Sequence, residues 1–288
     1  MSSLQASVSK VLTFSAVDGP GNRLVLFLQG CNFHCLACHN PHTIGQCDSC
    51  GLCIAACPRG ALELSAGSIR FRGEACDQCD ACLAACPVSA NPMIRHLSVE
   101  DVLALVRDNR AFLDGVTVSG GEATVQAKFV EALFAAIKAA PDLRDLDCMI
   151  DSNGHCGRRA WAALLPVTDG VMLDVKAFDP ALHLELTGRP NDKSLGSVRI
   201  AHAAGKLYEL RFLLIPGHTD TEAEIASLSR FARSLGGPVR VKLNAFQHHG
   251  VRGAAAGWPA MTRAGVEAVA ARLRADGIGE VVTPVVYI

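Results

Sequence analysis

The 288-residue sequence carries almost no net charge: 27 Lys and Arg against 28 Asp and Glu leave −1 with histidine neutral, and no run of like charges occurs. That absence excludes a broad nucleic-acid footprint and a polybasic membrane anchor, so partners are recognised by shape and local chemistry. Long hydrophobic runs are missing as well. The N-terminal stretch MSSLQASVSKVLTF has no extended apolar core behind a basic start, and the apolar run at 24–28 is far too short to span a bilayer. A soluble, unexported chain with no membrane partner is expected. Linkers and low-complexity tracts are absent too. With half its residues hydrophobic and a mean hydropathy of +0.25, the chain can bury the core of one full-sized domain plus a small module.

Cysteine is what the chain has in excess. Of thirteen, eleven fall in three tight runs within residues 31–86. An odd total in clustered spacings points to metal sites rather than to the spread-out pairs of a secreted disulfide scaffold, and such thiolates need a reducing compartment, so the cytoplasm is expected. Two runs, Cys47, Cys50, Cys53, Cys57 and Cys76, Cys79, Cys82, Cys86, each read C-x2-C-x2-C-x3-C followed by Pro58 or Pro87. The first run, Cys31, Cys35, Cys38, reads C-x3-C-x2-C and stops at three. Four thiolates saturate an iron–sulfur cluster and confine it to passing electrons, whereas three leave one iron free to hold another ligand. A pair of structural zinc sites is the competing reading of the longer runs, but zinc loops offer two cysteines per knuckle, not three followed by Cys-Pro. Clusters that only staple a core-poor module are the other alternative.

Outside this region short β-branched runs alternate with longer periodic stretches, a βα pattern. Strands are predicted at 24–29, 116–119, 148–151, 171–174, 210–215, 239–244 and 281–286, and helices at 99–108, 129–139, 222–234 and 263–275. Ser98, with Asp101 three residues on, predicts a capped helix start. The near-continuous apolar strands suit a parallel sheet covered by helices. About six such units predict an α/β fold, a partial (β/α)6 TIM-like barrel rather than a closed eight-stranded one. Residues 45–92 break the rhythm and read as an inserted module, with a small hairpin through 62–72, between barrel segments 1–44 and 93–288. Its two repeats are the one internal duplication in the pattern, and the module resembles a two-cluster ferredoxin. That resemblance implies two [4Fe-4S] clusters with crossed ligation, one on Cys47, Cys50, Cys53 and Cys86, the other on Cys76, Cys79, Cys82 and Cys57.

Val17-Asp18-Gly19-Pro20-Gly21, then Asn22 and Arg23, precede the first of these strands, and Gln29-Gly30-Cys31 through Cys38-His39-Asn40 follow it. These segments resemble the radical S-adenosylmethionine enzymes and, more narrowly, the glycyl-radical-enzyme activating enzymes. With the two-cluster insert the chain looks like a YjjW-type activase, and the resemblance extends from Val17 to the C-terminus. It implies a third [4Fe-4S] cluster on Cys31, Cys35 and Cys38, with S-adenosylmethionine chelating its open iron. Cleavage of that cofactor to a 5′-deoxyadenosyl radical is the implied chemistry, followed by abstraction of an α-hydrogen from a glycine of a partner glycyl radical enzyme, YjjI-type for this branch. A flavodoxin- or ferredoxin-like donor supplies electrons on the same reading.

The resemblance also names cofactor contacts at strand ends, where a βα barrel places its active site. Gly120, Gly121 and Glu122 match the family's GGE motif, Asp174 and Lys176 its D-x-K, and Arg211 an arginine near the cofactor carboxylate. Asp151 follows the third strand, and Asp151, Met172 and Asp174 are candidates to line a monovalent cation site. His39 is either a cluster neighbour or structural. Where the family has a histidine near the adenine this chain has Gln247, with His248 and His249 as substitutes. Cys148 and Cys156 read as a buried small hydrophobe and a loop thiol. Two other functions stay open: radical chemistry on a small molecule, which the lack of a dedicated substrate domain disfavours, and pure electron transfer, which the missing fourth ligand disfavours.

Overall fold

The computed structural model describes residues 4–285, which form two compact units, one of residues 4–32 and 40–146, the other of residues 33–39 and 147–285. The first holds strands β1 (Gln5–Leu12) and β2 (Arg23–Leu28), helix α1 (Leu52–Ala56), strands β3 (Leu62–Ser65) and β4 (Ser68–Phe71), helix α2 (Ala81–Ala84), strand β5 (Arg95–Ser98), helix α3 (Val99–Asn109), strand β6 (Gly115–Gly120) and helix α4 (Ala127–Ala139). Its main sheet runs β5-β1-β2-β6, with β2 and β6 parallel and β1 antiparallel to both its neighbours. The sheet is therefore mixed, where the apolar pattern suggested parallel strands alone. β1 alternates, burying Ala6 and Val8 between polar neighbours, and β5 has only four residues, so neither shows as an apolar run. β2 is continuously apolar from Leu24 to Leu28, and β6 alternates Val116 and Val118 with the buried Thr117 and Ser119; Leu24 and Leu26 stand opposite Val116 and Val118, all four fully buried. α3 starts at the expected cap: the Asp101 amide donates to Ser98 Oγ at 3.1 Å while the Ser98 amide donates to the Asp101 carboxylate at 2.8 Å.

Within this unit, residues 45–92 carry α1, the expected hairpin as β3–β4, and α2 around a small core of Cys53, Leu62, Cys82 and Leu83. The sequence duplication is also a duplication of backbone. Ser49 and Gln78 have φ of 59° and 60°, Gly51 and Asp80 82° and 59°, and Gly60 and Ser89 60° and 53°. Equivalent amides, Ala61 and Ala90, each donate to the last cysteine of their run, Cys57 or Cys86, at 3.3 Å.

The second unit holds β7 (Asp147–Ser152), α5 (Arg158–Leu164), β8 (Gly170–Val175), α6 (Pro180–Thr187), α7 (Asp192–Ala203), β9 (Leu207–Leu214), α8 (Glu222–Ser234), β10 (Arg240–Ala245), α9 (Arg263–Ala275) and β11 (Glu280–Val282). Its sheet runs β7-β8-β9-β10-β11 and is parallel throughout. α8 and α9 match the expected spans, each opened by a threonine cap, Thr221 and Thr262. α5, α6 and α7 were not legible as periodic segments. Of the strand expected at 281–286, Val286 lies outside the described residues. Among the described residues no helix is long and apolar enough to cross a membrane.

Candidate functional site

In the first unit, β2 delivers Cys31 through Gly30, whose φ of +99° turns the chain out of the strand. The Gly30 amide donates to Thr43 O at 2.8 Å and the Cys31 amide to Ile44 O at 3.0 Å, which fixes the backbone at Cys31. The Ser-Gly-Gly-Glu turn after β6 lies flat against this segment: the Gly121 amide donates to Leu28 O and the Glu122 amide to Gly30 O, both at 2.9 Å. A Cβ on Gly120 (φ +119°) would stand 2.2 Å from Leu28 N, and one on Gly121 2.4 Å from Gly30 O and 2.5 Å from Thr43 O. The two glycines are thus required by the chain's own backbone. Glu122, buried, accepts from the Thr124 amide at 2.9 Å and hydroxyl at 2.6 Å, capping the following turn. Upstream, the Asp18–Gly21 loop folds over the fully buried Arg23, which donates to Thr117 Oγ1 at 2.7 Å, Pro20 O at 2.9 Å and Val116 O at 3.1 Å.

Six of the eight cysteines of the longer runs are brought near one another by the same unit. Cys47, Cys50, Cys53 and Cys86 line one hollow with Ile69, Pro87 and Pro92. Cys57 and Cys82 neighbour each other, and Cys53 stands beside Cys82 in the small core. Burial pushes the Cys82 thiol up to about 11 and raises Cys53, while backbone amides, that of Ala61 first, hold Cys57 below its ordinary value. The Gln78 amide donates to Cys76 Sγ at 3.3 Å. Among the described residues no group of three or more His, Cys, Asp or Glu is arranged to hold a single metal ion.

The second unit holds Cys35 and Cys38. Residues 33–39 are pinned to the end of α6, the His34 amide donating to Thr187 O and the Leu36 amide to Leu186 O, both at 2.9 Å. Phe33, buried, stands between the rings of His155 and His183 at 5.3 and 5.5 Å. Burial pushes the Cys35 thiol up to about 12, against the pull of Lys176. Burial alone would lower Lys176, but Asp174, at 2.8 Å, and Cys35 hold it above its ordinary value. The loop carrying Lys176 is fixed by Glu224, which accepts from the Phe178 and Asp179 amides at 2.7 Å, and by Asn191, which donates to Phe178 O at 2.8 Å.

Arg211 is more engaged than a cofactor role alone requires. It meets Asp151 at 3.1 Å and Glu209 at 2.7 Å, and its Nη2 lies 2.7 Å from Met172 Sδ. Strand register explains the grouping: Asp151 is opposite Met172, Met172 opposite Glu209, and Asp174 opposite Arg211. The guanidinium itself therefore brings positive charge to two of the three residues singled out for a monovalent cation. Glu209, buried and shared with Arg240 at 3.0 Å, is a member sequence reasoning missed. Its signal was Glu209-x-Arg211, a spacing that puts both on one face of a strand.

Near the expected adenine position, Gln247 donates to Met261 O at 3.0 Å and His248 to Trp258 O at 2.6 Å. His39 packs 6.4 Å from the Phe246 ring, and burial and then Lys176 hold its imidazole below its ordinary value. Gly250 is backed onto His39 O, leaving no room for a Cβ. Cys148 is fully buried and Cys156 partly exposed.

A model of the Radical SAM superfamily matches residues 25–229. The isethionate sulfite-lyase activating enzyme of Nitratidesulfovibrio vulgaris is 31% identical over 245 residues, covering 77% of this chain and 78% of that protein. The pyruvate formate-lyase-activating enzyme of Streptococcus mutans serotype c is 30% identical over 230 residues, covering 79% and 72%. Among solved structures, Streptococcus suis SuiB bound to precursor peptide SuiA superposes with a TM-score of 0.56 at 13% identity, over 90% of this chain and 48% of that one, a likeness of fold.

Proposed function

Because the chain belongs to the radical S-adenosylmethionine superfamily and its homologues activate glycyl radical enzymes, we propose that it converts one glycine of such a partner to a glycyl radical. A YjjI-type protein is the partner this reading favours, in the cytoplasm, with reducing equivalents from a flavodoxin- or ferredoxin-like donor. The observation that carries the reading is the Asp174–Lys176 pair beside the Cys35 thiol. It sets fixed charge next to a run of cysteines one ligand short of closing a cluster, as a charged chelating cofactor requires.

On this reading three [4Fe-4S] clusters would be held, one by the C-x3-C-x2-C run of Cys31, Cys35 and Cys38 and one by the four thiols around the hollow at Cys47, Cys50, Cys53 and Cys86. Cys57, Cys76, Cys79 and Cys82 remain for the third, with amides already directed at Cys57 and Cys76. When bound and reduced, the first cluster with S-adenosylmethionine supplies one electron to the sulfonium S–C5′ bond, yielding methionine and a 5′-deoxyadenosyl radical. Lys176 donates to cofactor oxygens and Asp174 accepts from ribose hydroxyls on this reading, each held in place by the other. Gly120 and Gly121 keep the Cys31 segment and the turn after β6 in one plane, so backbone groups there can face the methionyl amino group. The buried Phe33, held between the His155 and His183 rings, anchors the segment that leads to Cys35.

Reconstituted protein with a full iron complement, reduced anaerobically with dithionite, is expected to release methionine and 5′-deoxyadenosine in equal amounts from S-adenosylmethionine. No cleavage by fully loaded protein contradicts the radical reading.

A further inference from the structure

We propose that the two four-cysteine sites work in series. The site of Cys47, Cys50, Cys53 and Cys86 adjoins Cys31, and the site of Cys57, Cys76, Cys79 and Cys82 takes electrons from outside. The proposal rests on the cluster assignments above and adds an order to them.

Exposure does not set that order. Cys50 and Cys79 are both exposed, and each donates its amide to an aspartate two residues back, Asp48 at 3.1 Å and Asp77 at 3.3 Å. What breaks the symmetry of the duplicated backbone is the chain around Cys31. The turn after Cys86 lies against it: the Gly45 amide donates to Ser89 O at 3.0 Å, and Val88 O occupies the space a Cβ on Gly45 would need. One residue back, Ile44 O accepts from the Cys31 amide at 3.0 Å. Gln29 donates to Gly45 O at 2.6 Å, and Gln46, which precedes Cys47, presses its amide nitrogen against Gly30. From Cys86 the route to Cys31 thus consists of covalent bonds and two hydrogen bonds.

The equivalent turn of the other repeat, after Cys57, makes no such approach. Pro58, Arg59 and Gly60 are exposed, and Gly60 O accepts from Arg72 at 2.7 Å instead. The two sites meet where Cys53 and Cys82 pack together, 6% and 8% exposed. Electron tunnelling favours bonded and hydrogen-bonded routes over gaps, so the connected site is the inner one. A one-electron carrier, a reduced flavin or iron–sulfur protein, is oxidised as the outer cluster is reduced. That electron then passes to the inner cluster and on to the cluster at Cys31, each giver returning to its oxidised state. No bond forms and no proton moves until the sulfonium is cleaved.

The test uses reconstituted full-length protein with the inner cluster removed by Cys47→Ala with Cys50→Ala, or the outer one removed by Cys76→Ala with Cys79→Ala, iron content confirming the loss. The reading is the spin-relaxation rate of the electron paramagnetic resonance signal that disappears in Cys35→Ala. Removing the inner cluster should slow relaxation to that of protein lacking both auxiliary clusters, while removing the outer one leaves it near the wild-type rate. The opposite pattern, or equal effects, overturns the order. Should either double variant assemble poorly, Cys50→Ser and Cys79→Ser retain their clusters with altered signals, and only the Cys50→Ser change should appear in the coupling. The measurement needs no turnover, so failure of cofactor cleavage would count against the proposed function and leave the order tested separately.

Discussion

Cys35→Ala is expected to hold two clusters instead of three and to release no 5′-deoxyadenosine with any reductant, whereas Cys82→Ala retains cleavage with a strong chemical reductant and loses it with a protein donor. The asymmetry follows from ligand number. Removing one of three thiolates leaves too few to hold the cluster with an open iron, and removing one of four disturbs only a site that passes electrons. Cys35 has no substitute nearby in sequence, because Cys31 and Cys38 are already committed. Iron analysis, with a loss of roughly four irons per chain for one cluster, and product analysis under dithionite check the prediction. Equal behaviour of the two variants contradicts the division between a catalytic cluster and relay clusters.

Gly121→Ala is expected to lower the stability of the metal-free chain by about 3 kcal/mol, the upper end for overpacking where neighbours cannot yield. The added carbon would meet two backbone oxygens, Gly30 O and Thr43 O, at 2.4 and 2.5 Å, and neither can rotate away as a side chain would. One of them belongs to the residue before Cys31, so the variant should also load the first cluster poorly. Gly196→Ala is the control: it lies inside α7 with nothing within 4 Å of its added carbon, and the gain in helix propensity should stabilise by about 1 kcal/mol. Denaturant midpoints of the two variants measure the contrast. A Gly121→Ala protein as stable as the parent would mean that the turn after β6 does not hold the Cys31 segment.

Much of the parallel architecture is legible because its signals are local. β2 is an unbroken apolar run from Leu24, β6 carries the β-branched Val116-Thr117-Val118, and α8 and α9 show amphipathic spacing behind threonine caps. α6 carried a signal that periodicity ignores: Asp179 before Pro180, with the Asp179 carboxylate accepting from the Leu182 amide at 2.8 Å, and Gly188 closing the helix at φ +74°. α7 has Gly196 in its middle and little amphipathy, so nothing local marks it. β1 and β5 owe their existence to pairing with each other and with β2, a tertiary fact.

The candidate site divides the same way. Cysteine spacing is a local property, and the likeness to ferredoxin implies crossed ligation; Cys47, Cys50, Cys53 and Cys86 line one hollow. Pairings between strands were not readable. Sequence shows Asp151, Asp174 and Arg211 as separate residues on three strands, and only the register of β7, β8 and β9 makes Asp151 a partner of Arg211, whereas Glu209 shares a face of β9 with it. The glycines after β6 were read as space for a cofactor, and the structure adds a reason that no spacing contains, the close approach of Leu28, Gly30 and Thr43.

This chain is proposed to place a radical on a protein. The most direct test is an electron paramagnetic resonance spectrum of the loaded protein incubated anaerobically with reductant, S-adenosylmethionine and a purified YjjI-type partner. The account predicts a glycyl doublet on the partner, with one 5′-deoxyadenosine per radical, and no doublet when the partner's glycine is alanine. Formation of 5′-deoxyadenosine with no protein-centred doublet, while a small molecule is consumed, would contradict it.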